Sequence, residues 1–571
     1  GSIGAISTAD VTVSELKNFY SGEPPVAMVK NEEEEVLTGS NGFAFSPKIT
    51  ESGNAILYIN PHVTFYFRPE VHMVSNEGLN AYGAVTWGQP FVYQGFNEHC
   101  GWMHTSSQAD IADAYIEKLS RKNNKWYYEY EGNLKPTISK KILIWYKATT
   151  GYKTKTIDAL FTHHGPILAK RNGQYLSVRH NNRDTKGFMQ SWLRTKATSF
   201  SAFIKTMDMG ANPSNNTVYA DAEGNIAYWH GNFLPKRDPH YNWSRPVNGS
   251  TKSTEWQGYH PVNESVHIYN PDNGWLQNCN STPYTVAGIN SPKKSNYADY
   301  LAPDGENYRG LNAVRVLSAA ENKFTLDKVI AAGYNKRLLA FEDLVPALIK
   351  AYEIYGKTIS ATDSLFLQLA EPIAILKTWD YNCDEKSIAT TLAVEWGQQL
   401  LPQIMQSNGN DIVQKTKAFS ILAGPNTLLF PLQTTLLELQ SRYGKWQIPW
   451  GEINRFQRIS SSIENEFDDS KPSIPVGFVS STWGMLPSYS SRIYPGTKKR
   501  YGVNGNSFVC AVEFGKKIKA KSLLAGGESG DPASPHFFDQ SIMYSKGQFK
   551  EVLFYKEDVL KHAERSYHPG E

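Results

Sequence analysis

The apolar positions change their period twice along the chain. From about residue 40 to 320 they come in short runs bounded by turn residues, the pattern of strands. Ala55-Ile56-Leu57-Tyr58-Ile59-Asn60 lies between Gly53-Asn54 and Pro61, and Ile142-Leu143-Ile144-Trp145-Tyr146 is a second run. Thr217-Val218-Tyr219-Ala220-Asp221, followed by Glu223-Gly224-Asn225-Ile226-Ala227-Tyr228, predicts a tight hairpin with glycine in its turn. Over residues 311–405 the period becomes helical. Thr325-Leu326-Asp327 has the form of a cap, and Leu338, Leu339, Phe341, Leu344, Leu348 and Ile349 then recur at helical spacing. From about residue 450 short strands and turns return. Residues 1–39 read as an exposed linker, with Gly22-Glu23-Pro24-Pro25 and the acidic run Glu32 to Glu35. Many short strands with helical layers predict a sheet-rich α+β protein.

Composition narrows the function more than the fold. The chain has 571 residues, of which 40% are hydrophobic and 20% charged, as in an ordinary globular protein. A formal charge of +3 makes no electrostatic case for nucleic acid or membrane binding. No stretch approaches the roughly 18–20 apolar residues of a membrane span. Gly1-Ser2-Ile3-Gly4 does not open a signal peptide, so a boundary or a processing product is expected there. The aromatic share of 13% hints at apolar clefts for acyl or carbohydrate ligands. Cys100, Cys279, Cys383 and Cys510 form no C-x-x-C pair, which argues against a cysteine zinc site and leaves room for one disulfide.

The chemistry starts at Thr38-Gly39-Ser40-Asn41-Gly42-Phe43. A serine hydroxyl is a weak nucleophile and needs a base. A serine at a chain terminus can use its own α-amino group, whose reference pKa is roughly 7.7–8.0. Inside an intact chain that nitrogen is an amide without basicity, so such a serine must first be released by cleavage. Glycine just upstream suits a strained, exposed bond because it tolerates unusual dihedrals. Taken alone, Gly-Ser-Asn is more simply a turn.

The surroundings shift that balance. Ser40-Asn41, the turn at Ser52-Gly53-Asn54, the apolar strand and Asn60-Pro61-His62 resemble the opening of the β-chain in the penicillin-acylase family of N-terminal-nucleophile hydrolases. The Asn-Pro-His form is similar to the acyl-homoserine-lactone, aculeacin and cephalosporin acylases. The resemblance continues through Gly83-Ala84, Gly95-Phe96-Asn97, Gly101-Trp102-Met103-His104-Thr105 and Thr162-His163-His164-Gly165-Pro166. Asn278-Cys279-Asn280-Ser281-Thr282-Pro283, Gly527-Glu528-Ser529-Gly530 and Ser534-Pro535-His536 extend it almost to the C-terminus.

The resemblance implies roles at matching positions. Ser40 resembles the nucleophile, and His62 the histidine beside its amine. Ser106 falls where the family uses a backbone N–H in the oxyanion hole, and Asn280 resembles the asparagine giving the second donor. Position 106 departs from the apolar residue expected there, which would make the acyl pocket more polar. Arg309 sits where the family places an arginine near that asparagine, with Arg315 as a nearby rival. Each has a plainer reading: Asn280 as an Asx-turn residue, His62 as a strand end, Arg309 as a surface arginine. Asp110 and Asp113, in Gln108-Ala109-Asp110-Ile111-Ala112-Asp113, resemble a calcium-binding stretch, or are solvated surface carboxylates. His163-His164 lacks the i, i+4 spacing and the partner carboxylate that would support a metal, and its family counterpart reads as structural.

The resemblance therefore implies a four-layer α-β-β-α fold with a helical insertion over about 311–405. Residues 1–39 are expected to be the end of an α-segment or spacer, and 40–571 the β-chain, with the α-chain as heterodimer partner. No cofactor is expected for catalysis, and a structural calcium is open. The expected reaction is hydrolysis of a linear amide, with an acyl-homoserine lactone or another N-acyl compound as substrate and a β-lactam side chain as the alternative. A silent binding homologue is a further possibility, and an internal Ser-His-Asp triad is disfavoured because no G-x-S-x-G elbow is found. Relatives are commonly exported, so a periplasmic or extracellular location is expected.

Overall fold

The computed structural model describes residues 39–180, 185–211, 215–231, 233–319, 323–360, 362–462 and 464–568. The linker reading of residues 1–38 lies outside them.

Two large sheets dominate the described residues, one of ten strands and one of seven. In the ten-stranded sheet β1 (Gly39–Phe45) runs antiparallel to β2 (Ala55–Thr64). The seven-stranded sheet includes β3 (Cys100–Ser106). Its neighbour β9 (Asn215–Asp221) pairs with β10 (Ile226–Trp229), which is the hairpin expected from the sequence. Between β3 and β9 in sequence come strands of smaller sheets. One holds β4 (Ala112–Glu117), β7 (Ile167–Arg171) and β8 (Gln174–His180). Another is the hairpin of β5 (Ile138–Lys147) and β6 (Tyr152–Phe161).

The continuous apolar run of β2 follows from burial on both faces. Ala44, Leu57 and Ile59 point to one side and join Met103, Val218 and Tyr228 of the second sheet. Phe43, Phe45, Ile56 and Tyr58 point to the other, against Leu317 and Ile330. Those two residues belong to α3 (Tyr308–Ser318) and α4 (Leu326–Gly333). The outer face of the second sheet carries Trp102, Tyr219 and Trp229 and is covered by Phe203 and Met207. This cover is α2 (Phe200–Met207), preceded by α1 (Thr185–Arg194). Helix, sheet, sheet, helix is the four-layer order. The two short covering helices lie inside the stretch that read as strands.

The helical region runs on past 405. Helices α5 (Phe341–Gly356), α6 (Ser364–Lys377) and α7 (Ile388–Gln406) are followed by α8 (Ile412–Leu422) and α9 (Pro425–Tyr443). They share one core, with Leu344, Leu369, Trp396, Leu400 and Leu432 among its buried members. Pro346, Pro372, Pro402 and Pro431 all lie inside these helices. The ends of α9 are nonetheless marked by Pro425 in its first turn and Gly444 at φ 78° just beyond it. Thr325 caps α4 as expected, its side chain accepting from the Lys328 N–H.

Ile142–Tyr146 is a strand but not a buried one. It lies on the β5–β6 hairpin, where Trp145 is 67% exposed. All four cysteines are buried and unpaired. Among the described residues no helix is long and apolar enough to cross a membrane.

Candidate active site

Ser40 sits on β1 between Gly39 and Asn41, in register with Pro61 of β2. The strand is buried along its whole length, and Ser40 is only 4% exposed. The Ser40 hydroxyl donates to the carbonyl oxygen of Gly39 at 2.5 Å. Its backbone N–H donates to Asn280 Oδ1 at 2.6 Å. Its carbonyl accepts from Arg309 Nη1 at 3.0 Å. Every polar atom of this residue is thus held by an identified partner.

Asn280 follows β11 (Trp275–Asn278), which pairs with β1. Its φ of 58° is left-handed, a conformation that asparagine tolerates better than most residues. The turn aims the side chain back at Ser40. Its Oδ1 also accepts from Arg309 Nη2 at 3.1 Å, and its Nδ2 donates to the Ser106 carbonyl at 2.8 Å. A side-chain amide carries two N–H hydrogens, so one remains for a ligand oxygen. Ser106 closes β3 and exposes its side chain. The structure therefore brings Ser40, Asn280, Ser106 and Arg309 together. Arg315, the rival, pairs instead with Glu342 at 2.8 Å on the surface.

His62 lies across the β1–β2 ladder from Gly39 and is fully buried. Neither ring nitrogen has a hydrogen-bond partner. Burial pushes its pKa well below the usual histidine value, and the nearby Arg309 charge pushes it further. Both influences favour the neutral ring.

Gly39 has a different reason from the one expected. Its φ is not in the left-handed region. What requires glycine is space: a Cβ would lie 3.0 Å from Arg309 Nη2 and 3.2 Å from Asn280 Oδ1.

Three asparagines hold the centre without having been singled out in the sequence. Asn41 Oδ1 accepts from Arg309 Nη1 at 2.9 Å. Asn307 Nδ2 donates to the carbonyls of Cys279 and Asn280. Asn278 Oδ1 accepts from Thr105 Oγ1 and from the Asn280 N–H. Asn41 and Asn278 stand in the quoted motifs, so the available signal was their adjacency to Ser40 and Asn280. Beside the centre opens a cleft of about 580 Å³, whose lining includes Asn280, Arg309, Gln108 and Glu306 together with Leu401 and Met405 of α7. Burial pushes the Glu306 carboxyl up to about 7.

Asp110 and Asp113 flank a buried guanidinium. Arg237 Nε lies 2.8 Å from Asp113 Oδ2, and its Nη2 donates to the Asp110 carbonyl. Trp256 Nε1 also donates to Asp113 Oδ2. Asp110 Oδ1 and Asp113 Oδ1 are buried without hydrogen-bond partners. Burial raises both carboxyls, that of Asp110 to about 7, against the opposing pull of Arg237. One guanidinium faces two carboxylates, with Asp110 Oδ1 3.4 Å from Arg237 Nη2, so of these two oxygens only Asp113 Oδ1 is open.

The four-layer fold is that of the N-terminal-nucleophile hydrolases. The chain matches the penicillin amidase family model over residues 5–561 and belongs to that family. It is a hydrolase of linear amides, an acylase. It is 23% identical over 588 residues to the acyl-homoserine lactone acylase PvdQ of Pseudomonas savastanoi pv. phaseolicola, across 94% of this chain and 71% of that one. It is 22% identical over 557 residues to penicillin acylase 2 proenzyme of Pseudomonas sp. (strain SE83), across 90% of this chain and 67% of that one. Its fold is similar to that of a thermostable penicillin G acylase from Alcaligenes faecalis. The TM-score is 0.66 at 19% identity, over 93% of this chain and 99% of the other.

Proposed function

We propose that Ser40 is the nucleophile of this acylase, exposed by cleavage of the Gly39–Ser40 bond, and that the substrate is an acyl-homoserine lactone or a related N-acyl compound. The observation that carries the proposal is the pairing of the Ser40 nitrogen with Asn280 Oδ1 while the Ser40 hydroxyl lies against the Gly39 carbonyl. In processing, Oγ attacks the Gly39 carbonyl carbon, the C–N bond breaks, and the hydroxyl proton passes to the leaving nitrogen. Water then hydrolyses the resulting ester. Gly39 leaves as a carboxylate and Ser40 keeps a free amine and its hydroxyl.

In turnover that amine accepts the hydroxyl proton as Oγ attacks the substrate amide. The charge on the substrate oxygen is met by the second Nδ2 hydrogen of Asn280 and the backbone N–H of Ser106. Collapse expels the amine product with the proton, and water releases the acid from Ser40. The Arg309 charge beside Ser40 favours the neutral, basic form of the terminal amine. The buried His62 adds no competing charge.

Relatives named for both substrate classes align along most of the chain, so the comparisons support amide hydrolysis more strongly than either substrate. Asn60-Pro61-His62 favours the homoserine-lactone branch. The test uses protein expressed with its full upstream region. Intact mass should find a new chain beginning at Ser40, and chromatography should find homoserine lactone released from N-acyl-homoserine lactones of graded length. Ser40→Ala should stay uncut and inactive. Release from penicillin G or a cephalosporin alone would transfer the enzyme to the alternative substrate class. Ligand binding without any turnover by the mature chain would make it a silent homologue.

The same reading gives the enzyme an α-chain as heterodimer partner and a periplasmic or extracellular location. It also gives Asp110 and Asp113 a structural calcium ion, which would share their carboxylates with Arg237. A rise in Tm on adding calcium to chelator-treated protein would support the ion. No rise would leave the counter-charge to the arginines, Arg237 first.

A further inference from the structure

The adjacent histidines that lack a partner in sequence gain one in space. His163 and His164 lie in the turn from β6 to β7, and Glu255 reaches them from a segment some 90 residues later. His163 Nε2 is 2.8 Å from Glu255 Oε1, and His164 Nε2 is 3.0 Å from the same oxygen. These three atoms lie within 4.8 Å of one another. We propose that His163 Nε2, His164 Nε2 and Glu255 Oε1 form a binding site for a divalent transition metal of the zinc class.

The outer shell has the form such a site needs. A ligating histidine normally donates its other ring N–H to a carboxylate, which fixes its tautomer and orientation. His164 Nδ1 lies 2.9 Å from Glu117 Oε1, and both side chains are fully buried. Glu117 Oε1 is itself fixed by the hydroxyls of Thr162 at 2.7 Å and Ser177 at 2.6 Å. The free oxygen of the proposed ligand Glu255 is held by Arg179 Nη1 at 2.8 Å. The His164 ring stacks on Tyr115 at 3.8 Å, and His163 lies against Tyr130 at 4.5 Å.

The backbone is equally constrained. Gly165 sits at φ 149°, and a Cβ there would meet the Val178 carbonyl at 2.1 Å, so the turn cannot relax around a larger residue. Glu255 follows Thr254, whose hydroxyl donates to the Asn248 carbonyl, and precedes Trp256, which is tied to Asp113.

The donor set selects the metal. Two imidazoles and one carboxylate suit zinc, whose bonds of roughly 2.0–2.2 Å place ligand atoms about 3.3 Å apart in a tetrahedron. The two nitrogen–oxygen distances, 2.8 and 3.0 Å, must open by a few tenths of an ångström to reach that. Calcium prefers oxygen alone, which separates this site from Asp110 and Asp113. His163 keeps 30% of its side-chain exposure, so a fourth position opens to water. Binding requires both Nε2 atoms to be free of protons, so it should weaken as pH falls. The bound ion would staple the 162–166 turn to the 252–256 segment. None of the hydrogen bonds made by Ser40, Asn280 or Arg309 enters this cluster, so the proposal stands apart from the catalytic reading.

The test is titration of full-length, tag-free, chelator-stripped protein with zinc by calorimetry and with cobalt by visible absorption. One equivalent should bind, and the cobalt band should have the intensity of low coordination. His163→Ala removes a half-exposed ligand and should keep the fold. It should weaken binding by more than the factor of about 10–100 expected for Glu117→Gln in the outer shell. Absence of binding at micromolar metal would overturn the site. So would an unchanged titration in His163→Ala, which would place the metal elsewhere.

Discussion

His62 and His164 are both enclosed histidines, and the protein drives them in opposite directions. Burial is the largest single influence on each and disfavours the charged ring. At His62 nothing opposes it: the ring nitrogens are unpartnered, and the nearest charge is the cation of Arg309. At His164 hydrogen bonds to Glu117 and Glu255 together outweigh burial, and the pKa rises. Depth therefore does not set the protonation state of a buried histidine; the sign of the nearest charges does. The Ser40 centre is built from neutral amides around one guanidinium, a setting that keeps bases unprotonated. The His164 cluster is built from carboxylates and holds protons, or the metal ion proposed to replace them.

The largest effect that tests this contrast is at Asn280. Asn280→Asp keeps the shape, the tolerance for a left-handed φ and an acceptor for the Ser40 nitrogen, but it loses the Nδ2 donor. In the proposed mechanism kcat should fall by at least about 10²–10³, the usual loss for one oxyanion donor, and Tm should fall too because the new carboxylate faces the Ser106 carbonyl. Steady-state kinetics on processed protein checks it. A variant that keeps wild-type kcat would show that the neutral amides do not serve as proposed.

Next in size is Gly39→Ala. The added methyl meets Arg309 Nη2 and Asn280 Oδ1, and overpacking of this kind costs roughly 1–3 kcal/mol. Processing should slow on the order of tenfold or more. The mature chain should turn over normally, because residue 39 has left it. Time-resolved mass analysis of precursor and an assay of the purified mature form give the two readings. An equal loss in both would mean that the substitution disturbs the lasting site and not the scissile bond alone.

What was legible in the chain, and what was not, follows from sequence distance. The serine, its strand and the asparagine motif are local patterns, and the fold then brings the ends of β1 and β11 together. Strand β2 was legible as an unbroken apolar run, whereas β1 opens on Gly39-Ser40-Asn41-Gly42, which by itself read as a turn. Glu255 was not legible as a partner of His163 and His164, because nothing near them in sequence marks a residue that arrives from another loop. The exposure of Ile142–Tyr146 escaped for the opposite reason. An apolar run has the same form whether it enters a core or lines a protruding hairpin, and only the absence of a covering layer distinguishes the two. The helical region runs past residue 405, and Pro425 and Gly444 are the local marks of its last helix.

The smallest effect is the sharpest test of the two histidines, because it asks for opposite slopes in one protein. An unfolded histidine titrates near about pH 6.5. His62 has a folded pKa below that, so under acid the unfolded chain takes up a proton that the native one refuses. Its contribution to stability is complete above about pH 6.5 and falls as pH drops through that value. His164 has a raised folded pKa, so its contribution is complete below about pH 6.5 and is lost as pH rises through the folded value. One proton changes stability by at most about 1.4 kcal/mol per pH unit, so each slope is modest. Calorimetric Tm measured across this range should show His62→Gln flattening only the acid limb and His164→Gln flattening only the limb above it. The metal must be removed first, since an ion on His164 Nε2 would stand in for the proton and hide its titration. If both substitutions flatten the same limb, the carboxylates of Glu117 and Glu255 do not reverse the effect of burial, and the two sites do not differ in the way their neighbours require.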